Sequence, residues 1–356
     1  MWLQQLQAQG LRSFTKCELT FSSGINVLYG DNGVGKTSIL EGINVLSCGK
    51  SFRTSQVSNI ITTGQSELIL FGQVSNQDQS TQLGAQIGAG SKVLRVNREK
   101  VNKWSDLAKI LPVLDIHPES YLLVTGGPIE RRKFLNWGMF HVEPSFALIW
   151  SEYTKALKQR NFCLKSHNIR QARHWHQSLS HNGEIITQSL VRYCHEIFPH
   201  VNSILELFGF TEKLALKYSP GWDQSYSLDE LLDQELQSND LPLSTRCGPH
   251  RGDLKINWQG RPFSKASSRG QQKVLAIALK LAQAKLLRLS YEKSSVYLLD
   301  ELPAELDNKR REIALDILAK LDSQIIISAV SRESMRCLDT EIKWFHVKHD
   351  GVSSVV

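Results

Sequence analysis

The chain has 356 residues, 41% of them hydrophobic and 22% charged, a composition that excludes a disordered or fibrous protein and suffices for about two domains. No apolar run reaches the roughly 18 residues of a membrane-spanning helix, and Met1 to Thr20 mixes polar and charged residues with no apolar signal core, so neither membrane insertion nor secretion is expected. The net charge of +7 admits an anionic partner without identifying one, and six scattered cysteines fit neither a zinc knuckle nor a secreted disulfide framework; reduced thiols in a cytoplasm are the expectation.

In chain order, Trp2 to Gln9 and Cys17 to Phe21 read as two strands, and Gly24 to Gly30 as a short apolar strand ending in glycine. A helix is predicted over Thr37 to Leu46, then antiparallel strands at Leu68 to Val74, Gln82 to Ile87 and Lys92 to Val96. Beyond Pro144, Phe146, Trp150, Tyr153, Leu157 and Leu164 keep a three-and-four spacing, with Ser145 placed as an N-cap. A second helical segment runs from Ile186 to Leu205, interrupted at Pro199. Between Tyr153 and Gly183 there are six basic residues, four histidines and no acid, whereas Tyr218 to Thr245 holds six acids and no Lys or Arg. From Gly248 the mixed pattern resumes: strands near Leu254 to Trp258, Ser295 to Leu299 and Gln324 to Ala329, and helices from Ser268 to about Leu289 and from Asn308 to Leu321.

Gly30-Asp31-Asn32-Gly33-Val34-Gly35-Lys36-Thr37 fits the phosphate-loop pattern, and it lies between a predicted strand and a predicted helix, as that pattern requires. Backbone N–H groups at the helix start carry positive partial charge, glycines let the backbone close round phosphates, Lys36 reaches the outer phosphates, and Thr37 is placed to ligate Mg²⁺. These residues predict an ATP site. Its acidic half is Asp300-Glu301, at the end of the apolar Val296 to Leu299: Asp300 would hold Mg²⁺ through water and Glu301 would orient or deprotonate the attacking water. Ser268-Arg269-Gly270-Gln271 opens an amphipathic helix; its hydroxyl and bare N–H groups fit a second anion site or an ordinary serine cap, and the spacing leaves both open.

The order of the three motifs resembles the heads of ABC-type ATPases, and within them the RecF family of bacterial gap-repair proteins. The stretches that carry the resemblance are Ser51 to Thr54, His117 to Ser120, Gly126 to Pro128 with Arg131 and Arg132, Gly248 to Arg251, the Ser268 helix start, and Glu305 to Asp307. They cover both ends of the chain, about 1–160 and 245–335. The resemblance implies an α/β fold: an ABC-type P-loop ATPase head formed by residues 1–144 and 245–356, with a helical arm, 145–244, inserted into it. It makes Ser268 the contact to the γ-phosphate of a second copy, Asp307 part of a loop crossing the dimer interface, and Arg53 a charge stabiliser. The implied function is an ATP-dependent homodimer on double- and single-stranded DNA at gaps or junctions, hydrolysing ATP slowly and working with RecR and RecO to promote RecA loading. Whether turnover exceeds a weak DNA-dependent ATPase activity is left open.

Some features depart from the pattern or stay ambiguous. Pro303 is unusual in the loop after Glu301, and Ile327 to Val330 offers no switch histidine; slow hydrolysis and a water held by Ser328 both remain open. The basic stretch with Lys155, Lys158 and Arg160 reads equally as a solvated face or as phosphate contacts to DNA. Cys163 and Cys194 are expected to pack as small apolar groups. His250 and Arg251 are either structural or phosphate-sensing. A transporter ATPase subunit shares all three nucleotide motifs, but it commonly has glycine where Arg269 stands and lacks the arm.

Overall fold

The computed structural model describes residues 1–76, 79–301, 306–321, 323–335, 341–348 and 351–355. Contacts divide the chain into two compact units, Met1–Ser120 with Leu287–Val356, and Tyr121–Leu286.

The first unit holds two sheets. The antiparallel one is built from β1 (Trp2–Leu11), β2 (Phe14–Thr20), β4 (Glu67–Asn76), β5 (Gln79–Gly88), β6 (Ser91–Val96) and β7 (Glu99–Val101), in the order β2-β1-β4-β5-β6-β7. Strict alternation would send Leu3 and Leu6 of β1 to opposite faces, yet both are fully buried. A register shift between Leu3 and Gln5 reconciles them by inserting an unpaired residue.

The second sheet contains β3 (Ile25–Tyr29), β8 (Val113–Ile116), β12 (Val296–Leu299), β13 (Ile325–Ala329), β14 (Ile342–Lys348) and β15 (Gly351–Val355), ordered β15-β14-β3-β13-β12-β8. All its pairings are parallel except the β14–β15 edge. Every residue of β12 and β13 is buried, the pattern of parallel strands covered on both faces. Each fully buried aliphatic side chain there contributes about 1.5–3 kcal/mol. Helix α1 (Lys36–Cys48) buries Ile39, Leu40, Ile43 and Leu46 in a cluster that also takes Leu6, Leu11 and Leu70 from the antiparallel sheet and Leu28, Leu298, Ile326 and Phe345 from the parallel one. The two sheets are further joined by the buried Gln324, whose amide exchanges two 2.8 Å bonds with the Leu3 backbone and donates to the Ser22 carbonyl at 2.8 Å. The unit is completed by α2 (Trp104–Ile110), just before β8, and by α11 (Asn308–Ala319).

The second unit is mainly helical: α3 (Leu122–Thr125), α4 (Pro128–Val142), α5 (Phe146–Lys165), α6 (Ile169–Arg173), α7 (His176–Leu207), α8 (Leu228–Gln237), α9 (Phe263–Ala266) and most of α10 (Arg269–Tyr291). A three-stranded antiparallel sheet joins β9 (Ala215–Ser219), β10 (Asp253–Trp258) and β11 (Arg261–Pro262) in the order β11-β10-β9. The boundaries expected from sequence, near 144 and 244, both fall inside this unit. Two interactions account for that. Strand β10, expected in the head, pairs along its length with β9, and Gln283 of α10 donates to the Phe134 carbonyl of α4 at 2.8 Å and the Tyr193 hydroxyl of α7 at 2.9 Å.

Two local expectations are corrected. Helix α7 continues through Pro199, because burial of Ile197, Val201, Ile204 and Leu205 outweighs the hydrogen bond that proline cannot make. Ser145 does not cap α5 with its side chain; its hydroxyl donates to Glu143 instead, at 2.8 Å. The acidic stretch has a local reason: Ser227 and Glu230 form a capping box on α8, with Asp229 and Glu230 in the first turn against the positive end of the helix dipole. Cys163 and Cys194 are buried as expected, and burial pushes the Cys194 thiol up to about 12.

A buried polar network ties α5 to α8 and to the segment before β10. Arg160 is 0% exposed and donates to Glu235 at 2.9 Å, to the Thr245 hydroxyl at 2.7 Å and to the Leu232 carbonyl at 3.1 Å. Arg160 is therefore unavailable to DNA, unlike Lys155 and Lys158, which are exposed. His250 accepts from the Tyr153 hydroxyl at Nδ1, 2.6 Å, and donates from Nε2 to the Thr245 carbonyl, 3.1 Å. The carbonyl can only accept, so Nε2 carries a proton, and the neutral ring takes the Tyr153 proton at Nδ1; both bonds of His250 are structural contacts within this unit. Burial, helped by Arg251 and Arg132 and opposed by the Thr245 carbonyl and Glu235, pushes its pKa down to about 4.

Two predictions follow from this network. Arg160→Met should cost about 3 kcal/mol in denaturant unfolding, because it strands Glu235 and Thr245, whereas Lys158→Met should stay within about 0.5 kcal/mol. On acidification the unfolded chain takes up a proton on His250 near pH 6.5 while the folded chain resists until about 4. Its contribution, on the order of 3 kcal/mol at about 1.4 kcal/mol per pH unit, is thus complete above that upper value and lost as pH falls through the window. His250→Gln should make the melting temperature fall less steeply between those two pH values.

Candidate nucleotide site

The phosphate loop leaves β3 at Tyr29 and enters α1 at Lys36, so it lies at the C-terminal edge of the parallel sheet, where the ends of neighbouring strands and a helix N-terminus converge. Two of its glycines are required by space as well as conformation. Gly30, at φ 148°, would place a Cβ 2.4 Å from the Val347 carbonyl oxygen, and Gly35, at φ 106°, would place one 2.5 Å from the Phe14 ring. Asp31, Asn32 and Gly33 are exposed, and Val34 is buried beneath them. Lys36, only 6% exposed, donates to the carbonyls of Gly30 and Asp31, both at 2.7 Å. Burial holds its ammonium below the usual lysine range, against the raising influence of Glu301, Asp300 and Asp31.

Strand β12 ends beside β13 and delivers Asp300 to the same edge. The Thr37 hydroxyl donates to Asp300 Oδ1 at 2.9 Å, joining the two halves predicted from sequence across 263 residues. The Ser328 hydroxyl donates to the same oxygen at 2.7 Å and accepts the Glu301 backbone N–H at 2.9 Å. Ser328 is wholly buried, and these two bonds tie its hydroxyl to the protein. Glu301 itself adopts φ 54°, in the left-handed region.

Sequence reading missed a second node, the buried Glu41, one turn along α1 from Thr37. Arg12 forks onto its carboxylate at 3.0 and 2.9 Å, and the Ser51 hydroxyl donates to it as well. Ser51 in turn accepts the N–H groups of Arg53 and Thr54, both at 3.0 Å. Glu41 thereby anchors the loop that carries the exposed Arg53. Phe52 of that loop stacks on His117, with centroids 5.2 Å apart, and His117 pairs with Asp115 at 3.1 Å. The signal available in the sequence was an acidic residue at i+4 from Thr37 in an otherwise apolar helix face.

Ser268 lies in the second unit, exposed at the start of α10. Its hydroxyl accepts the Gln271 N–H at 3.3 Å and its own N–H donates to the Gln271 side chain at 2.8 Å, a capping box. The serine is therefore an N-cap within its own chain, with Arg269 and Gly270 exposed beside it. Asp307 also caps a helix, accepting the Arg310 N–H at 2.9 Å at the start of α11. The stretches around Arg131 and Gly248 come together in the second unit: Arg131 forks onto Asp253 at 2.6 and 3.2 Å, and Arg132 donates to the Gly252 carbonyl at 2.9 Å. Pro303, Glu305 and Cys337 lie outside the described residues. Val330, just beyond β13 where a switch histidine was sought, is 58% exposed. No group of three metal-ligating His, Cys, Asp or Glu side chains occurs among the described residues, nor is any of their helices long and apolar enough to cross a membrane.

The RecF/RecN/SMC N terminal domain family matches residues 2–353. The chain is 35% identical to the DNA replication and repair protein RecF of Shewanella loihica over 100% of both chains. A solved structure of the recombination mediator protein RecF with ATP, described as part of the RecFOR pathway, is 26% identical, covers 100% of this chain and 98% of its own, and superposes with a TM-score of 0.88. A more distant likeness, 16% identical with a TM-score of 0.61, is the Smc head bound to the C-terminal winged-helix domain of ScpA, and it shows the shared ATPase-head fold.

Proposed function

This chain belongs to the RecF family of DNA replication and repair proteins, and from that premise we propose that it binds ATP at the phosphate loop, dimerises on it, and holds DNA at single-strand gaps or junctions. In this reading it hydrolyses ATP slowly and acts in the cytoplasm in recombinational repair and replication restart, with RecR and RecO, to promote RecA loading. The observation that carries the nucleotide site is the Thr37–Asp300 hydrogen bond beside Lys36. The full-length relatives remove the support for a transporter subunit.

The donor set fits Mg²⁺: a hydroxyl and a carboxylate, both hard oxygen donors, 2.9 Å apart at the mouth of the loop. When bound, Mg²⁺ neutralises charge on the phosphates. The loop N–H groups from Gly30 to Thr37 cradle the phosphates, and Lys36 exchanges its two carbonyl partners for phosphate oxygens. Glu301 accepts a proton from the attacking water. The exposed start of α10, with Ser268, supplies the remaining anion contacts from a second copy, while Asp307 and the exposed Arg53 line the approach. The composite site makes dimerisation ATP-dependent: in sedimentation velocity the parent should dimerise with ATP and dissociate with ADP. Ser268→Arg should stay monomeric in ATP, and Glu301→Gln should remain dimeric long after the parent has dissociated.

DNA contact is assigned to one face of α5, where Lys155, Lys158, Phe162 and Lys165 recur at helical spacing and all are exposed, Phe162 by 70%. The ammonium groups suit phosphates, and the ring offers a base a stacking surface. If the dimer neutralises about five phosphates, log affinity should fall against log salt with a slope near −4 to −5. Lys155→Gln, Lys158→Gln and Lys165→Gln together should flatten that slope by two or more, at about −0.9 per lost phosphate contact. An unchanged slope would move the DNA surface off this face.

A further inference from the structure

Ser328 contributes nothing to the phosphate loop or to the acidic pair by sequence, yet among the described residues it is bonded to both members of that pair. The assignment of its atoms is unambiguous. Its single hydroxyl proton goes to Asp300 Oδ1, 2.7 Å away, and a lone pair receives the Glu301 N–H at 2.9 Å. Both neighbours need it. Ser328 is 0% exposed and Asp300 6%, so the bond between them is shielded from solvent.

Glu301 is the residue with most to lose. It follows directly on a fully buried strand and turns into the left-handed region, at φ 54°, which a side chain larger than glycine adopts only where its surroundings impose it. The Ser328 bond is a side-chain clamp on that turn. The turn sets the direction in which the Glu301 side chain leaves the strand end, at the sheet edge that also carries the phosphate loop. Ser328 and Thr37 also share Asp300 Oδ1, so Oδ2 is left free of both hydroxyls.

We propose that Ser328 is a positioning residue for ATP hydrolysis: it clamps the Glu301 backbone in the left-handed conformation that sets where its carboxylate points, and it fixes the Asp300 rotamer. The proposal rests on the roles given above to Asp300 and Glu301. It assigns the end of β13 a function without a histidine, through a hydroxyl that acts inside the protein.

The test compares full-length Ser328→Ala, Ser328→Thr and Glu301→Gln with the parent, measuring melting temperature, equilibrium binding of ATP and single-turnover hydrolysis on DNA. Ser328→Ala should melt a few degrees below the parent yet stay folded and bind ATP within about twofold of it, while hydrolysis at saturating ATP falls at least tenfold. Ser328→Thr, which keeps the hydroxyl, should recover most of that loss. A purely structural role would lower ATP binding in step with turnover and would show no such split. Parental turnover in folded Ser328→Ala, or equal loss in Ser328→Ala and folded Ser328→Thr, would overturn the proposal. Should Ser328→Ala fail to fold, Ser328→Cys, of the same shape but weak hydrogen bonding, carries the same expectation. Glu301→Gln separates the two layers of argument: if it hydrolyses like the parent, the reading of the acidic pair fails, whereas a dead Glu301→Gln beside a fully active Ser328→Ala removes Ser328 alone.

Discussion

One carboxylate oxygen, Oδ1 of Asp300, accepts hydrogen bonds from Thr37 and Ser328, and the nucleotide edge of the first unit is organised around it. The three residues come from the start of α1, the end of β12 and the end of β13; Thr37 is 263 residues from Asp300 and Ser328 is 28 from it, and β3, which leads into α1, lies beside β13 and β13 beside β12 in the parallel sheet. A buried carboxylate is costly unless its lone pairs are satisfied, so these bonds hold the ends of the three elements in register. The same requirement explains why Ser328 is buried and polar in a strand whose other residues are apolar.

Around that point the first unit is stiff for ordinary reasons. Helix α1 is buried along nearly its whole length because it shares one core with both sheets. Several of its buried polar groups tie down neighbouring backbone or side chains: Lys36 caps loop carbonyls, Glu41 gathers Arg12 and the Ser51 loop, Asn44 donates to the Lys50 carbonyl and Ser47 to the Leu111 carbonyl. A helix so enclosed transmits the position of its N-terminus to the phosphate loop, and through Glu41 to the loop carrying Arg53. Preorganisation of this kind suits phosphoryl transfer, where the protein mainly positions groups and compensates charge.

In the second unit, charge divides by burial. Arg160 and His250 sit inside, hydrogen-bonded to Glu235, Thr245 and Tyr153, while Lys155, Lys158 and Lys165 remain on the surface. A single basic stretch therefore contains both an internal strut and an exterior face. Its residues differ only in which side of α5 they occupy, since Arg160 shares a face with the buried Tyr153, Ala156 and Cys163.

The phosphate loop, the acidic strand end, the serine helix start and the alternating strands of the first third were all legible locally, because each depends on residues close in sequence: glycines that free a turn, a hydroxyl that caps a helix, a period of two or of 3.6. Membership of the family was legible for the same reason. What local pattern could not reveal was pairing between distant segments. Strand β10 has the composition of a head strand, and only its partner β9 places it in the second unit. Pro199 reads as a break until the burial of its neighbours outweighs it, and Ser145 reads as a cap until Glu143 takes its proton. Ser328 and Glu41 acquire meaning only from Asp300, Glu301, Arg12 and Ser51, brought to them by the fold. Sequence alone determined which residues can meet a phosphate; the tertiary structure decided which polar side chains hold them in place, because a buried hydrogen bond is specified by two partners and the chain order names only one at a time.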